Sequence, residues 1–250
     1  MILRKVGIFV FIMGMALMPL AVTADNSEAI FAVLNEDNLD TQELPGEFPY
    51  GLAWDGSGFY HVDFDTKALY YTEIGAESEY LATLDIKGSP AGIAYRNDKL
   101  FVSSSRRIYQ IDTVSFEPEL LFKIKSSESY GPTGLATDGE YFYSADRVDQ
   151  VIRKLDSEGN LIYSKAFIDG TGYYRGLAYQ DGYLWLLDSS ERTVFKIDPD
   201  SAELEAEFMT PYLLYQRGLD YADGLWWTTD KDRLLLAPCS IEEIDGAILS

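Results

Sequence analysis

A tetrapeptide that begins with glycine returns five times along this chain at a nearly constant spacing. It reads Gly-Leu-Ala-Trp, Gly-Ile-Ala-Tyr, Gly-Leu-Ala-Thr, Gly-Leu-Ala-Tyr and Gly-Leu-Asp-Tyr, and the copies start at Gly51, Gly92, Gly134, Gly176 and Gly218. Successive glycines are therefore 41, 42, 42 and 42 residues apart. Twelve residues after each glycine a second position keeps the same phase, occupied by Asp63, Ser104, Asp146, Asp188 and Asp230. A period of this length, built from short β-rich units, is typical of propeller blades.

Each unit contains four short runs with the composition of β-strands. In the fourth unit these runs are 176–179, Tyr183–Asp188, 193–198 and Leu204–Met209. Asp-Gly pairs, which favour tight hairpins, separate the first two strands in four units, as at Asp181-Gly182. The sequence predicts an all-β, five-bladed propeller of four-stranded blades with almost no helix, and six blades remain the alternative.

The closure of the ring is predicted from an imbalance between the two ends of the chain. The last unit has a weak fourth strand, whereas the segment 38–44 stands just before the first glycine, where a fourth strand falls in every other unit. We expect this segment to supply the outer strand of the last blade, because closure removes open sheet edges. Residues 25–37 are then a lead-in, with a further outer strand at 30–34.

The first 24 residues differ in kind from the rest. Arg4 and Lys5 precede an apolar run over 6–20, and Val22 and Ala24 form a small-x-small pattern. This is the pattern of a secretory signal peptide, which predicts a leader over 1–24 and one propeller domain over 25–250. The expected location is periplasmic or secreted, with an uncleaved N-terminal anchor as the alternative.

Composition narrows the classes of partner. The chain has 41 acidic and 20 basic residues, for a formal net charge of −21, which disfavours nucleic acid and anionic membrane surfaces. The single cysteine, Cys239, allows no intrachain disulfide, and we expect it to be a buried thiol. We expect the only histidine, His61, to serve packing or hydrogen bonding. No metal or cofactor is predicted, although a divalent cation on an acidic face remains open, and the protein is expected to be monomeric.

The blades resemble a known superfamily. Gly-Leu-Ala-Tyr-Gln-Asp-Gly-Tyr-Leu-Trp-Leu-Leu-Asp from Gly176, followed by Val-Phe-Lys-Ile-Asp-Pro-Asp from Val194, is similar to blades of secreted bacterial propellers. These belong to the broad group of NHL-repeat, quinoprotein-dehydrogenase-like and glutaminyl-cyclotransferase-like proteins. The resemblance implies the propeller architecture over about 40–250, but such blades occur in enzymes, binders and scaffolds alike. The Thr-Gln-Gly-Leu and Glu-Ser-Thr signatures of the cyclotransferases are absent.

Candidate ligand-binding residues lie just before the repeated glycines, where the loops between blades should share a rim with the phased acids. Arg175 and Arg217 are a pair that can bind a carboxylate through bidentate hydrogen bonds. The alternative is that Arg175 and Arg217 form ion pairs with Asp188 and Asp230. For these two acids, the other candidate role is to cap the turns that follow them. Aromatic rim candidates complete the set, and the alternative is that these tyrosines fill the wedges between blades: Tyr50, Tyr174 and Tyr215.

Asp220 departs from the repeat, because the other units have alanine at the corresponding position of the inner strand. A carboxylate in this crowded place needs a partner, and Arg217 is the candidate. Otherwise Asp220 is a lone functional carboxylate near the axis. We therefore expect a functional centre at one channel mouth, formed by Arg175, Arg217 and Asp220.

These observations predict an exported propeller that binds a small or peptidic ligand at the mouth of its channel. One alternative is an enzyme of the glutaminyl-cyclotransferase-like or lactonase-like kind, with carboxylates doing acid–base or metal chemistry. Another is a structural or assembly propeller with no small ligand.

Overall fold

A computed structural model describes residues 41–124, 131–167, 172–210, 215–239 and 242–243. These residues all lie in the compact unit that spans 34–250. The predicted leader over 1–24, the lead-in strand at 30–34 and residues 38–40 lie outside the described residues. Within the described part there is no helix, and hence none long and apolar enough to span a membrane.

Five antiparallel sheets form the blades of a propeller. Blade 1 contains β2 (Pro49–Trp54), β3 (Phe59–Asp63), β4 (Ala68–Thr72) and β5 (Glu79–Thr83). Blade 2 contains β6 (Pro90–Arg96), β7 (Lys99–Ser104), β8 (Arg107–Ile111) and β9 (Pro118–Lys123). Blade 3 contains β10 (Gly134–Thr137), β11 (Phe142–Asp146), β12 (Val151–Leu155) and β13 (Leu161–Ala166).

The last two blades complete the ring. Blade 4 contains β14 (Tyr174–Gln180), β15 (Tyr183–Asp188), β16 (Thr193–Ile197), β17 (Leu204–Met209) and β21 (Glu242–Glu243). Blade 5 contains β18 (Gln216–Ala222), β19 (Leu225–Asp230), β20 (Leu235–Cys239) and β1 (Gln42–Glu43). The predicted five-bladed, all-β architecture is confirmed.

The N-terminal strand closes the ring as the sequence predicted. Gln42 pairs with Leu236 and Glu43 with Leu235, so β1 is the outer strand of blade 5. The amide of Leu44 then donates to the carbonyl of Leu234 at 2.7 Å. Closure therefore depends on segments from the two opposite ends of the described chain.

Blade 4 departs from the prediction of four strands. In β21, Glu242 and Glu243 pair with Met209 and Phe208 of β17, which gives this blade a fifth strand. The physical reason is that an outer strand presents unpaired N–H and C=O groups, and the returning chain satisfies some of them. The sequence of this short segment lacks the length and alternation by which a strand is recognised.

Close packing of the inner strands explains the repeated glycines. A Cβ atom on Gly176 would lie 2.7 Å from Cβ of Leu219 in the next blade, and one on Gly218 would lie 2.7 Å from the carbonyl oxygen of Tyr50. The five repeated glycines are called the ring glycines from here on. A Cβ atom on any of the other three would likewise come too close to the next blade. A side chain at any of these positions would push two blades apart.

The residue before each ring glycine is set in a β-bulge in blades 1, 2, 4 and 5. In blade 4 the pairs are Tyr174 with Asp188 and then Leu177 with Leu186, so Arg175 and Gly176 together face one residue. Bulges of this kind redirect a side chain and bend the strand. The bulge therefore turns the residue before the glycine toward the mouth of the channel.

Hairpins of two designs join the first and second strands. Asp181 and Gly182 have φ of 52° and 83°, so this Asp-Gly pair is a two-residue hairpin, as predicted. In blade 1, however, the φ of Gly56 is positive and that of Asp55 is not. The Asp55 carboxylate instead accepts hydrogen bonds from the amides of Ser57 and Gly58, which stabilises a longer turn.

Candidate functional site

Buried apolar residues follow the ring glycines, lie at the depth between two cavities of the central channel, and pack in the cores between blades. This leucine girdle consists of Leu52, Ile93, Leu135, Leu177 and Leu219, all buried. Two separate cavities lie on its two sides. The first, called the arginine end, is lined by Arg175 and Arg217 beside the ring glycines. The second, called the hairpin end, is lined by Asp220.

Asp220 is therefore not part of the predicted centre with Arg175 and Arg217. It stands three residues beyond Arg217 on the same extended strand, a separation of roughly 10 Å. Its carboxylate accepts hydrogen bonds from the amide of Trp54 at 2.6 Å and from its neighbour Tyr221 at 2.8 Å. The predicted pairing with Arg217 is wrong, because the girdle separates the two side chains.

Arg217 is nearly inaccessible yet has no acidic partner among the described residues. Its side chain is only 7 % exposed, and its Nη1 donates to the carbonyl of Gln216 at 2.9 Å. Its Nε is buried without a hydrogen-bond partner in the described structure. Burial, reinforced by the charge of Arg175, lowers the pKa of Arg217 to about 10. The guanidinium is thus held in place without an ion pair, although the more distant charge of Asp232 favours its charged form.

Tyr50 orients the second guanidinium. Nη1 of Arg175 donates to the hydroxyl oxygen of Tyr50 at 2.6 Å, and its Cζ lies 5.8 Å from the centre of the Tyr50 ring. The Tyr50 ring is itself buried and stacks on Phe64 at 5.5 Å. The Nε of Arg175, like that of Arg217, is buried with no partner in the residues the structure describes. Tyr50 therefore supports Arg175 rather than offering its ring to a ligand.

Two more cations stand at this end, and sequence reasoning missed both. Arg147 lies with its Cζ 5.3 Å from the ring centre of Tyr173, which Arg175 also approaches, at 5.6 Å. Nζ of Lys231 lies 4.5 Å from the ring centre of Phe48 and 3.5 Å from an oxygen of Asp232. A sequence signal exists, since both follow directly on the phased acids. The arginine end is defined from here on by Arg147, Arg175, Arg217 and Lys231.

The remaining tyrosine candidates separate into one buried and one exposed residue. Tyr174 is 1 % exposed and packs on Phe167, with ring centres 3.8 Å apart, in the core between blades 3 and 4. As a contact for a ligand at the rim it was wrongly chosen, because its side chain points away from the side that Arg175 takes. Tyr215 is 52 % exposed, in the loop that leads into β18, and stays a candidate.

The phased acids are turn caps, as their recurrence indicated. Oδ1 of Asp63 accepts from the amides of Asp65 and Thr66, and Oδ2 accepts from the amides of Glu47 and Phe48 at 2.7 and 2.6 Å. Burial alone would raise the pKa of Asp63, but these hydrogen bonds outweigh it, and the pKa lies below its usual value.

Asp188 and Asp230 cap their turns in the same way, through the amides of Ser190 and Arg233 among others. The proposed pairing of Arg175 and Arg217 with these two acids is wrong.

The other titratable candidates belong to the core. His61 is fully buried, shares a 2.9 Å hydrogen bond with Thr72, and burial lowers its pKa to about 3. Cys239 is a buried thiol that accepts a hydrogen bond from Gln216 at 3.6 Å, and burial raises its pKa to about 12. Both outcomes confirm the sequence predictions. Among the residues placed by the structure, no group of three or more His, Cys, Asp or Glu could hold a metal ion.

Comparisons with known proteins support the fold and leave the activity open. No family model and no curated sequence matches the chain. Among solved structures, it is similar to a glutaminyl cyclase from Myxococcus xanthus, with 13% identity over 83% of this chain and 98% of that chain and a TM-score of 0.61. A streptogramin B lyase is similar at 14% identity over 83% and 72%, with a TM-score of 0.54.

A third similar structure is a nidogen/laminin complex, at 20% identity over 73% of this chain and 72% of that chain, with a TM-score of 0.54. At such identities the likeness concerns fold alone. The fold neighbours thus include enzymes as well as a binding complex, and the predicted propeller architecture is confirmed.

Proposed function

We propose that this protein is an exported propeller whose arginine end binds an anionic small molecule or a peptide carboxylate. One observation carries the proposal. In a chain where acids outnumber bases two to one, the guanidinium groups of Arg175 and Arg217 have no carboxylate partner among the described residues. Buried cations are normally paired, so a site that leaves the buried Arg217 and the partly buried Arg175 without an ion pair is prepared for an anion from outside.

The arrangement favours a ligand with two anionic oxygens in one plane. A guanidinium presents its donors as a rigid fork that matches a carboxylate. Arg175 is fixed by the Tyr50 hydroxyl and Arg217 by the carbonyl of Gln216, so little side-chain freedom is lost on binding. The aromatic ring of Tyr173 and the exposed ring of Tyr215 would cover the apolar part of such a ligand.

Calorimetric titration with succinate, glutarate and acetate tests the proposal. We expect saturable binding of the dicarboxylates to the purified protein, because the second carboxylate can reach Arg147 or Lys231. Arg217→Lys keeps the charge but removes the fork, and should weaken binding by roughly 1–3 kcal/mol. The double change of Arg175 and Arg217 to alanine should abolish it.

A matched control is Arg106→Ala. Arg106 is exposed on a loop of blade 2 and does not line the arginine end. Its replacement by alanine changes the net charge by the same amount as the loss of one arginine of the site. Affinity should be retained in this variant. Loss of binding in Arg106→Ala as well as in the double alanine variant would reduce the effect to net charge, and full affinity in the double variant would refute the proposal.

A further inference from the structure

The hairpin end has the chemistry of a second site. Its floor is the leucine girdle, its walls are small, and one carboxylate enters it. The wall residues include Ala94, Ala136 and Ala178, which take the position that Asp220 takes in blade 5. Blade 1 also has alanine there, at Ala53. At this position of the repeat, four blades thus have a small side chain that leaves space in the channel, and the fifth blade has an acid.

The Asp220 carboxylate is held at the seam where the ring closes. Its Oδ2 accepts from the amide of Trp54 in blade 1, and its Oδ1 accepts from the amide of Tyr221. Each carboxylate oxygen can accept a second hydrogen bond, so two backbone amides do not exhaust it. No lysine or arginine in the described parts of the chain forms an ion pair with it.

The rim of this cavity carries aromatic faces that tolerate a cation. Tyr179 and Tyr95 line it, and their rings stack on Tyr143 and Tyr60 with centres 6.1 and 5.8 Å apart. The exposed Arg96 already places its Cζ 6.0 Å from the centre of the Tyr179 ring. Arg96 and Asp220 are the charged residues of the lining, and Arg96 lies at the exposed rim.

We propose that the hairpin end binds a small organic ammonium ion. Its charged head would meet the Asp220 carboxylate, its short alkyl part would rest on the leucine girdle, and the tyrosines would flank it through cation–π contact. A carboxylate, an apolar floor and aromatic walls are complementary to this class of ligand and to no anion. The site goes beyond the anion site at the arginine end and does not depend on it.

Calorimetric titration with propylammonium chloride tests the site, with 1-propanol and sodium chloride as neutral and ionic controls. We expect saturable binding of one propylammonium per chain at pH 8, and none of 1-propanol or of sodium. Asp220→Asn removes the charge with little change of shape and should weaken binding at least about tenfold. Asp223→Asn is the matched control, since it removes an exposed charge from the hairpin that follows β18 and should leave affinity unchanged.

A second measurement on the unchanged protein keeps the test independent of how well variants fold. In ¹⁵N NMR spectra, propylammonium should shift the Trp54 and Tyr221 amide signals, because both donate to the carboxylate that it contacts. Arg96→Gln should bind propylammonium more tightly, since it removes a like charge at the rim. The proposal is overturned by Asp220→Asn binding as well as the native protein does, or by Trp54 and Tyr221 signals that stay in place at saturating propylammonium.

Discussion

The two ends of the channel share one scaffold and differ in what the scaffold carries. At the arginine end, bulges before the ring glycines turn Arg175 and Arg217 to the mouth, and these two cations contact aromatic rings and form no ion pair in the described structure. At the hairpin end the inner strands pair regularly up to their hairpins, alanines and tyrosines line the cavity, and Asp220 is the one acid of its lining. The leucine girdle keeps these charges apart.

This difference shows where a repeated fold makes room for function. The ring glycines and the girdle are constant, because each blade must pack on the next. The positions on either side of them vary between blades, and they carry cations at one end and a carboxylate at the other. Four predictions test this contrast.

The largest effect should come from the glycines, which the two ends use for different reasons. Gly176→Ala places a methyl group against Leu219 and the carbonyl of Arg217, and overpacking of two blades should cost about 3 kcal/mol. Gly182→Ala at the hairpin end meets no atom within 4 Å and suffers only from its φ of 83°, so about 1 kcal/mol is expected. Urea unfolding measures both. Equal costs would contradict the packing explanation.

The cost of replacing a capping acid by alanine should likewise be larger at the arginine end than at the hairpin end. Asp63→Ala breaks hydrogen bonds to both the turn and the loop between blades, for a loss of about 2 kcal/mol. Asp55→Ala at the hairpin end breaks three bonds in a partly exposed turn and should cost about 1 kcal/mol. Chemical denaturation of both variants at pH 7 gives the comparison. A smaller loss at Asp63 than at Asp55 would contradict it.

Much of this contrast, but not all of it, could be predicted from the sequence. The glycine period predicted the blades, and β15 and β17 begin and end at the residues that the sequence predicted. Ring closure followed from counting strands. The glycine period could not show how deep along the channel each side chain lies. Arg217 and Asp220 are three residues apart in sequence, but they line different cavities, because the girdle residue Leu219 lies between them.

Arg147 and Lys231 were missed for a related reason. Each follows a capping acid on the rim that the sequence predicted for Arg175 and Arg217, but a charged residue in such a turn usually denotes a solvated position. Tyr174 was misplaced because one residue of offset on a strand moves a side chain to the opposite face.

Stability should depend on pH in opposite directions at the two ends. The folded pKa of Asp63 lies below its unfolded value, so its contribution is present above pH 3.8 and is lost as the pH falls further. Burial raises the folded pKa of Asp220 to about 7, so its contribution is full below pH 3.8 and is lost as the pH rises to about 7.

Asp220→Asn should remove the loss of stability between pH 4 and 7. This loss is on the order of 1 kcal/mol after allowance for solvent in the cavity. Urea unfolding at pH 4.5 and 7.5 measures the difference for the native protein and the variant. The same decline with pH in both would show that Asp220 is not its source.

The smallest effect should come from Tyr50→Phe. This change removes the acceptor that fixes Arg175 but keeps the buried ring, so the free energy of unfolding should fall by less than about 1 kcal/mol. Succinate affinity should fall a few-fold, because Arg175 must then be ordered on binding. Propylammonium affinity at the hairpin end should not change, and a loss there would contradict the independence of the two ends.

The most direct test of the arginine end is a ¹⁵N NMR titration that follows the Nε–Hε signals of its arginines. The Nε groups of Arg175 and Arg217 have no partner in the described structure, so succinate should shift both signals. It should leave the Trp54 amide, beyond the girdle, in place. Arginine signals that do not move at saturating succinate, or a Trp54 signal that moves with them, would contradict an anion site confined to this end of the channel.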